Sequence, residues 1–156
     1  MANTNLKKND LIPDGDHVVR HVPWKSLRKD AEDNVLGVLP QGFQLREGED
    51  GLSLSRLEHF GENREEQLKE VTNAIRESKT SKSIGKKSAL AIGNTLDIKE
   101  VCRKNGKSIR IVYRPSTPNP SHCEIKGLPR EDVALLHALA DEAFKETILC
   151  GPYLSD

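Results

Sequence analysis

The alternation of apolar and polar residues along the chain predicts five short β-strands. It is clearest in Phe43-Gln44-Leu45-Arg46 and in the segment that runs from Ile109 to Arg114. Turn-forming residues such as Pro40-Gln41-Gly42 separate these segments. The predicted strands span residues 17–22, 43–46, 89–92 and 109–114, followed by a brief strand around Cys123 and Ile125.

Apolar residues spaced three and four apart predict three helices. Asn63 and Glu66 have the spacing of a capping box, so the first helix is expected to span residues 63–78. A second, short helix is expected over residues 95–105, just before a glycine suited to a C-cap. The last helix is expected over residues 130–148, after Pro129. The apolar stripes are Leu68, Val71 and Ile75 in the first helix and Val133, Leu136, Ala140, Ala143, Phe144 and Ile148 in the last.

This order of strands and helices is typical of an α+β fold. We expect a single domain over residues 16–150, in which a mixed β-sheet is packed by two to three helices. Residues 1–15 are polar and end in a Pro-Asp-Gly turn, so they are expected to form a flexible leader. Residues 151–156 are expected to form a short C-terminal tail.

The charge balance, the cysteine spacing and the length of the apolar runs each argue against certain classes of protein. The chain has 156 residues, with 24 basic and 24 acidic side chains, and this balance argues against a nucleic-acid binder that uses its whole surface. Its three cysteines have no CxxC spacing, so we expect unpaired buried thiols in a reducing compartment. No apolar run approaches the roughly 20 residues that span a bilayer. We therefore expect a cytoplasmic protein without a membrane partner.

Hydrogen-bonding side chains occur in three segments where an apolar strand would be expected: residues 17–21, 51–55 and 119–124. Polar side chains on a strand either face solvent or are buried with a partner. If the three segments converge, they form one polar site in the core. If they do not, they are separate surface features.

The two histidines of the first segment are four residues apart. His17 and His21 therefore lie on one face of a regular strand, whereas Arg20 points to the other face. A metal site would have to use His17 and His21, with His122 as a candidate third ligand. Because no metal-binding motif accompanies them, we expect no metal, and we keep His17 and His21 as candidates for ligand or partner binding.

A basic loop is expected at residues 79–88. Its Gly85-Lys86-Lys87-Ser88 is similar to the end of a phosphate-binding loop, but the first glycine of that motif is missing and the order of helix and strand is inverted. Lys82, Lys86 and Lys87 remain candidates for an edge that attracts phosphate, such as the phosphate of a nucleic acid. The alternative is a solvated loop without a ligand.

The order of Arg20, Ser53 (or Ser55) and Glu124 resembles the Arg-Ser-Glu order of ADP-ribosyltransferases. The resemblance implies that Arg20 holds the pyrophosphate of NAD, that Ser53 orders the site and that Glu124 stabilises the ribose in the transition state. A guanidinium can donate two parallel hydrogen bonds to two oxygens of one phosphate, which suits the role of Arg20. The chain lacks the polar residue that the family places two positions before the glutamate, because His122 and Cys123 precede Glu124.

Three prolines stiffen the loop before His122. Such a loop can present Asn119 and His122 to a ligand or partner at little entropic cost. Alternatively, His122 hydrogen-bonds to a neighbouring strand and only fixes the loop.

The segments HVVRH, FQLR, LS and NPSH resemble a group of small, uncharacterised bacterial cytosolic proteins. The resemblance implies no activity. Because the sequence has no metal cluster, no complete nucleotide loop and no catalytic triad, we expect a non-enzymatic binding or accessory module that acts with a larger bacterial protein partner and has no cofactor. The alternatives are a small NAD-using transferase, built on the residues named above, and a nucleic-acid-associated factor that uses the basic loop.

Overall fold

The computed structural model describes residues 5–78 and 84–154. The strands are β1 (His17–Val22), β2 (Leu27–Lys29), β3 (Val35–Val38), β4 (Gly51–Arg56), β5 (Ala89–Asn94), β6 (Arg110–Tyr113), β7 (His122–Lys126) and β8 (Glu146–Leu149). The α-helices are α1 (Arg64–Ser78), α2 (Thr95–Lys104) and α3 (Val133–Ala138), and α3 continues as a π-helical turn, Leu139–Ala143. The prediction of an α+β fold is confirmed.

Six strands form the main sheet in the order β6-β7-β4-β1-β5-β8, and β2 pairs with β3 in a separate ribbon. Every pairing among these strands is antiparallel, so the prediction of a mixed sheet is wrong in this respect. The reason lies in the crossover that α1 makes. It joins β4 to β5, which run in the same direction but lie on either side of β1, so the two parallel strands are not neighbours.

The sheet separates two apolar layers, and the alternation along β1 assigns its residues to both. Val18 and Val22 belong to the larger layer, which α2 and α3 cover, whereas Val19 belongs to the smaller layer beneath α1. The helix stripe that the sequence predicts in α1 packs in this smaller layer. The burial of residues on both faces of β1 therefore fixes which side chains point to each layer.

Two of the predicted elements are wrong. The strand expected over residues 43–46 is absent, because Pro40–Phe43 forms a 3-10 turn that inserts Phe43 into the core. There Phe43 stacks on Phe144, with 4.6 Å between ring centroids. The prediction of a long final helix over residues 130–148 is also wrong. The observed helical segment ends at Ala143, and Glu146–Leu149 forms the edge strand β8 along β5.

Both ends of the described chain pack against the domain. Ile12 is buried, and its amide donates to the carbonyl of Ile111 at 2.9 Å, so this part of the expected leader lies along β6. At the other end Tyr153 and Leu154 pack against the smaller apolar layer. Residues 9–12 and 151–154 thus extend the domain beyond the boundaries expected from composition.

The three cysteines are free and buried, as the sequence predicts. Burial raises the pKa of the Cys102 thiol to about 11 and raises the pKa values of Cys123 and Cys150 as well. At neutral pH these thiols are poor nucleophiles. Across residues 5–78 and 84–154, no helix combines the length and the apolar character needed to cross a membrane.

Candidate ligand-binding cleft

A cleft opens where β1 and β4 diverge. The two strands pair only at Val18 with Arg56 and at Val19 with Ser55. Beyond this point each strand keeps its other neighbour, since β1 stays on β5 as far as Val22 and β4 stays on β7 as far as Gly51. The resulting space has a volume of about 860 Å³, which falls within the range of small-ligand sites.

Arg20 lies in the gap between the two strands. Its Nη1 donates to the carbonyl of Ser53 at 3.0 Å, and its Nε donates to the carbonyl of Gly42 at 3.0 Å. Burial lowers the pKa of Arg20 to about 10, so the guanidinium is still charged at neutral pH. No carboxylate of the described residues lies within ion-pair distance of it. Arg20 is thus a half-buried cation that makes no ion pair with the described residues, and the carboxylate of Glu49 offsets only part of the cost of its burial.

Arg20 and His21 both line the cleft, although the alternation along β1 predicts that they serve opposite faces. The sequence pattern placed the two side chains on opposite faces and therefore in separate sites. That expectation is wrong because it assumed that β1 is paired continuously on both of its sides. Where β4 moves away, the long Arg20 side chain reaches into the gap instead of remaining on its own face.

The segment after the 3-10 turn forms one wall of the cleft and carries further charge. The backbone amide of Arg46 donates to Glu49 Oε1 at 2.7 Å. The guanidinium of Arg130 donates to the carbonyl of Arg46 at 3.0 Å and to the carbonyl of Glu49. The lining includes three cations, Arg20, Lys25 and Arg46, and one carboxylate, that of Glu49. The cleft is therefore positive on balance.

Ser53 and His122 lie side by side in the cleft. Ser53 Oγ is 2.7 Å from His122 Nε2, and His122 Nδ1 is 2.8 Å from the carbonyl oxygen of Arg114. The carbonyl can only accept, so Nδ1 carries the hydrogen, and in the neutral ring Nε2 accepts from the Ser53 hydroxyl. His122 thus connects the rigid loop before it to β4. This contact agrees with the alternative in which His122 hydrogen-bonds to a neighbouring strand.

Asn119 is fully engaged within the protein. Its Nδ2 donates to Ser55 Oγ at 3.0 Å, and its Oδ1 accepts from the amide and the hydroxyl of Ser121 at 3.1 and 2.6 Å. The residue is 3% exposed. It lines the cleft, but these contacts indicate that it holds the loop in place.

Replacement of Asn119 by alanine is expected to lower the free energy of unfolding by about 1–3 kcal/mol, because Ser55 and Ser121 lose a buried hydrogen-bonding partner. Denaturant unfolding measures the loss. The matched control is Thr117→Ala in the same loop, where the side chain is exposed and no change is expected. An Asn119→Ala protein as stable as wild type would show that the amide does not fix the loop.

The other candidate residues lie apart from this site. His17 is hydrogen-bonded to Glu58, with 2.8 Å between Nδ1 and Oε2, and does not line the cleft. Glu124 is the Cα partner of Ser53, but its carboxylate accepts from Lys126 Nζ at 2.9 Å and does not line the cleft either. The structure therefore brings together two members of the Arg-Ser-Glu set, but not the third.

The basic loop falls partly outside the described residues, and Lys82 is among those not described. Lys86 and Lys87 are exposed, and Lys87 Nζ lies 5.3 Å from the centre of the Trp24 ring. In residues 5–78 and 84–154 no cluster of three or more His, Cys, Asp or Glu side chains is arranged to hold a metal ion.

Several residues of the cleft had no signal in the sequence. Gln41 and Gly42 lie in a turn, Arg46 lies in a segment that the alternation assigned to a strand, and Glu49 follows that segment. These residues line a cleft only because β1 and β4 diverge, and no local pattern in the sequence shows that divergence.

Comparison of the chain with protein-family models, with curated proteins and with solved structures gives no match in any of the three.

Proposed function

We propose that the protein is a binding module of the bacterial cytoplasm, and that its cleft holds an anionic group, phosphate or carboxylate, carried by its partner. The observation that carries the proposal is the half-buried charge of Arg20, whose guanidinium donates hydrogen bonds to two carbonyl oxygens and forms no ion pair with the described residues. An anion in the cleft would neutralise this charge and accept from the guanidinium. Charge-assisted hydrogen bonds of this kind are the stronger ones in proteins.

The surroundings of Arg20 support the same function. Arg46 and Lys25 add positive charge at the exposed rim, where charges mainly attract a ligand from solution. Serine hydroxyls and the side chains of Gln41 and Gln44 provide neutral donors and acceptors in the same cleft. A site with one desolvated cation and many neutral polar groups is suited to orienting an anion, and it offers little to an apolar ligand.

Titration calorimetry with inorganic phosphate, pyrophosphate, succinate and a short Asp/Glu-rich peptide tests the proposal. We expect Arg20→Gln to weaken the binding of these anions by roughly 10- to 100-fold, the effect of losing one charged hydrogen-bond donor. Arg28→Gln is the matched control, because Arg28 is an exposed arginine that does not line the cleft. Arg46→Gln is a second cleft variant, on an exposed side chain whose loss does not threaten folding.

The outcomes separate the possible partners. Binding of the peptide would indicate an acidic segment of a protein partner, whereas binding of the small anions alone would indicate a small ligand. Equal affinities of wild type, Arg20→Gln and Arg46→Gln for every anion would contradict the proposal. Binding of NAD but of none of the other anions would favour the transferase alternative, even though Glu124 lies outside the cleft.

A further inference from the structure

We propose that Ser53 is a nucleophile activated by His122, and that the cleft cleaves esters whose acyl group carries a negative charge. The inference goes beyond binding, and its substrate class rests on the proposed anion site. It starts from the 2.7 Å contact between Ser53 Oγ and His122 Nε2. A serine whose hydroxyl donates to a histidine, which is itself oriented by a third group, is the arrangement that activates a weak nucleophile.

The third group is the backbone of Arg114, the residue that follows β6. Its carbonyl accepts from His122 Nδ1 at 2.8 Å, and its amide donates to the carbonyl of His122 at 2.9 Å. The amide of His122 also donates to the carbonyl of Asn119 at 3.2 Å. These contacts fix both the ring and the backbone of His122, and they keep the proton on Nδ1, so that Nε2 faces the serine as a base.

The strand register places the two side chains on one face of rigid structure. Ser53 lies opposite Glu124 and Ser55 lies opposite His122, so Ser53 and His122 are diagonal neighbours across β4 and β7. Both are partly exposed and both line the cleft, so a ligand in the cleft has access to them. A pair that only fixed the fold would have no need of this access.

The anion site lies next to the nucleophile. Arg20 donates to the carbonyl of Ser53 itself at 3.0 Å, so its guanidinium lies beside the residue that carries the hydroxyl. A substrate whose carboxylate or phosphate is held by Arg20 would bring a nearby acyl carbon to Ser53 Oγ. Such positioning of reactants contributes a large part of catalysis in general.

The reaction then proceeds in two balanced steps. Ser53 Oγ attacks the acyl carbon of the ester and forms an acyl–oxygen bond, while its proton passes to His122 Nε2. The bond from the acyl carbon to the alcohol oxygen breaks, and the alcohol leaves with that proton. Water then attacks the acyl-serine and gives its proton to His122, which returns it to Ser53 Oγ as the carboxylic acid departs. The sum is ester plus water to acid plus alcohol.

The experiment uses a fluorophosphonate, which a reactive serine labels by forming an oxygen–phosphorus bond and expelling fluoride. We expect labelling of the wild-type protein, with mass spectrometry assigning the modified peptide to Ser53. Ser53→Ala should abolish the labelling, and His122→Gln should slow it by about 100-fold or more, as expected for the loss of a general base. Ser108→Ala, which removes an exposed serine outside the cleft, should label at the wild-type rate.

Hydrolysis of the 4-nitrophenyl half-ester of succinate, which carries a free carboxylate, provides the second readout. Turnover that Ser53→Ala abolishes, and that exceeds turnover of neutral 4-nitrophenyl acetate, would support both the nucleophile and the charged substrate. No labelling of the wild-type protein, or labelling at another residue, would overturn the inference.

The two proposals can fail separately. Ser53→Ala keeps the Arg20 side chain and the Ser53 carbonyl, so it should still bind succinate or phosphate in the calorimeter. Anion binding without labelling would overturn the nucleophile and leave the binding function in place. Labelling at Ser53 without anion binding would support the nucleophile, overturn the charged substrate class and contradict the proposed binding function.

Discussion

Replacement of Phe144 by alanine is expected to lower the free energy of unfolding by about 3–5 kcal/mol, the usual cost of removing a large aromatic ring from a core. Phe144 is 2% exposed and stacks on Phe43, with ring centroids 4.6 Å apart. The substitution leaves Phe43 without its aromatic partner and opens a cavity between the π-helical turn and the 3-10 turn. Denaturant unfolding followed by circular dichroism measures the loss.

Val133→Ala in α3 is the matched control, because Val133 is 65% exposed. Its expected effect lies within about 0.5 kcal/mol, as for other surface substitutions. A loss below about 1 kcal/mol for Phe144→Ala would mean that the site collapses around the missing ring, and that Phe43 does not depend on it.

Replacement of Asp16 by alanine is expected to lower the free energy of unfolding by about 3 kcal/mol, because the cation of Arg56 in the core loses the carboxylate of Asp16. Arg56 is among the largest fully buried side chains, at 2% exposure. Its Nε donates to Asp16 Oδ2 at 2.6 Å. Because Arg56 also pairs with Val18 at the closed end of the cleft, the loss is expected to extend to the β1–β4 contact.

A double-mutant cycle isolates the ion pair. Asp16→Ala combined with Arg56→Met removes both charges, and the double variant is expected to lose less stability than the two single variants together. Asp50→Ala is the matched control, because Asp50 forms an ion pair with Lys126 at the exposed surface, where no measurable change is expected. Additive effects at Asp16 and Arg56 would show that the pair is not coupled.

The local patterns of the sequence predict the elements whose pattern is complete within one segment. The capping residues and the apolar stripe define α1, and the structure begins that helix at Arg64, one residue from the predicted start. The alternation around Ile111 likewise predicts β6. In these segments local propensity and tertiary burial favour the same conformation.

The failures occur where distant parts of the chain decide the conformation. Phe43 alternates with its neighbours as a strand residue would, but the ring of Phe144 draws it into the core from a turn. Ile148 continues the helical stripe of α3, yet it pairs with Leu90 in the sheet. In both places a contact between residues far apart in sequence outweighs the local periodicity.

The candidate site could be predicted only as a set of residues. The sequence identifies Arg20, Ser53 and His122 as unusual, because each is polar where a strand should be apolar. It cannot show that β1 and β4 separate after two pairs, which is the feature that brings the three side chains together. The assignment of Arg20 to the opposite face followed correctly from a regular strand, and the strand is regular on only one of its sides.

The divergence of β1 and β4 also has a consequence for motion. It divides the sheet into two three-stranded halves, β6-β7-β4 and β1-β5-β8, and the links across the boundary include two residue pairs, the Arg20 side chain and the ion pair of Asp16 with Arg56. Local opening of a sheet follows its least-bonded boundary, so amide protons along this seam should exchange with solvent before those inside either half. A ligand held by Arg20 would contact both halves, and amide protons along the boundary should then exchange at rates closer to those inside each half.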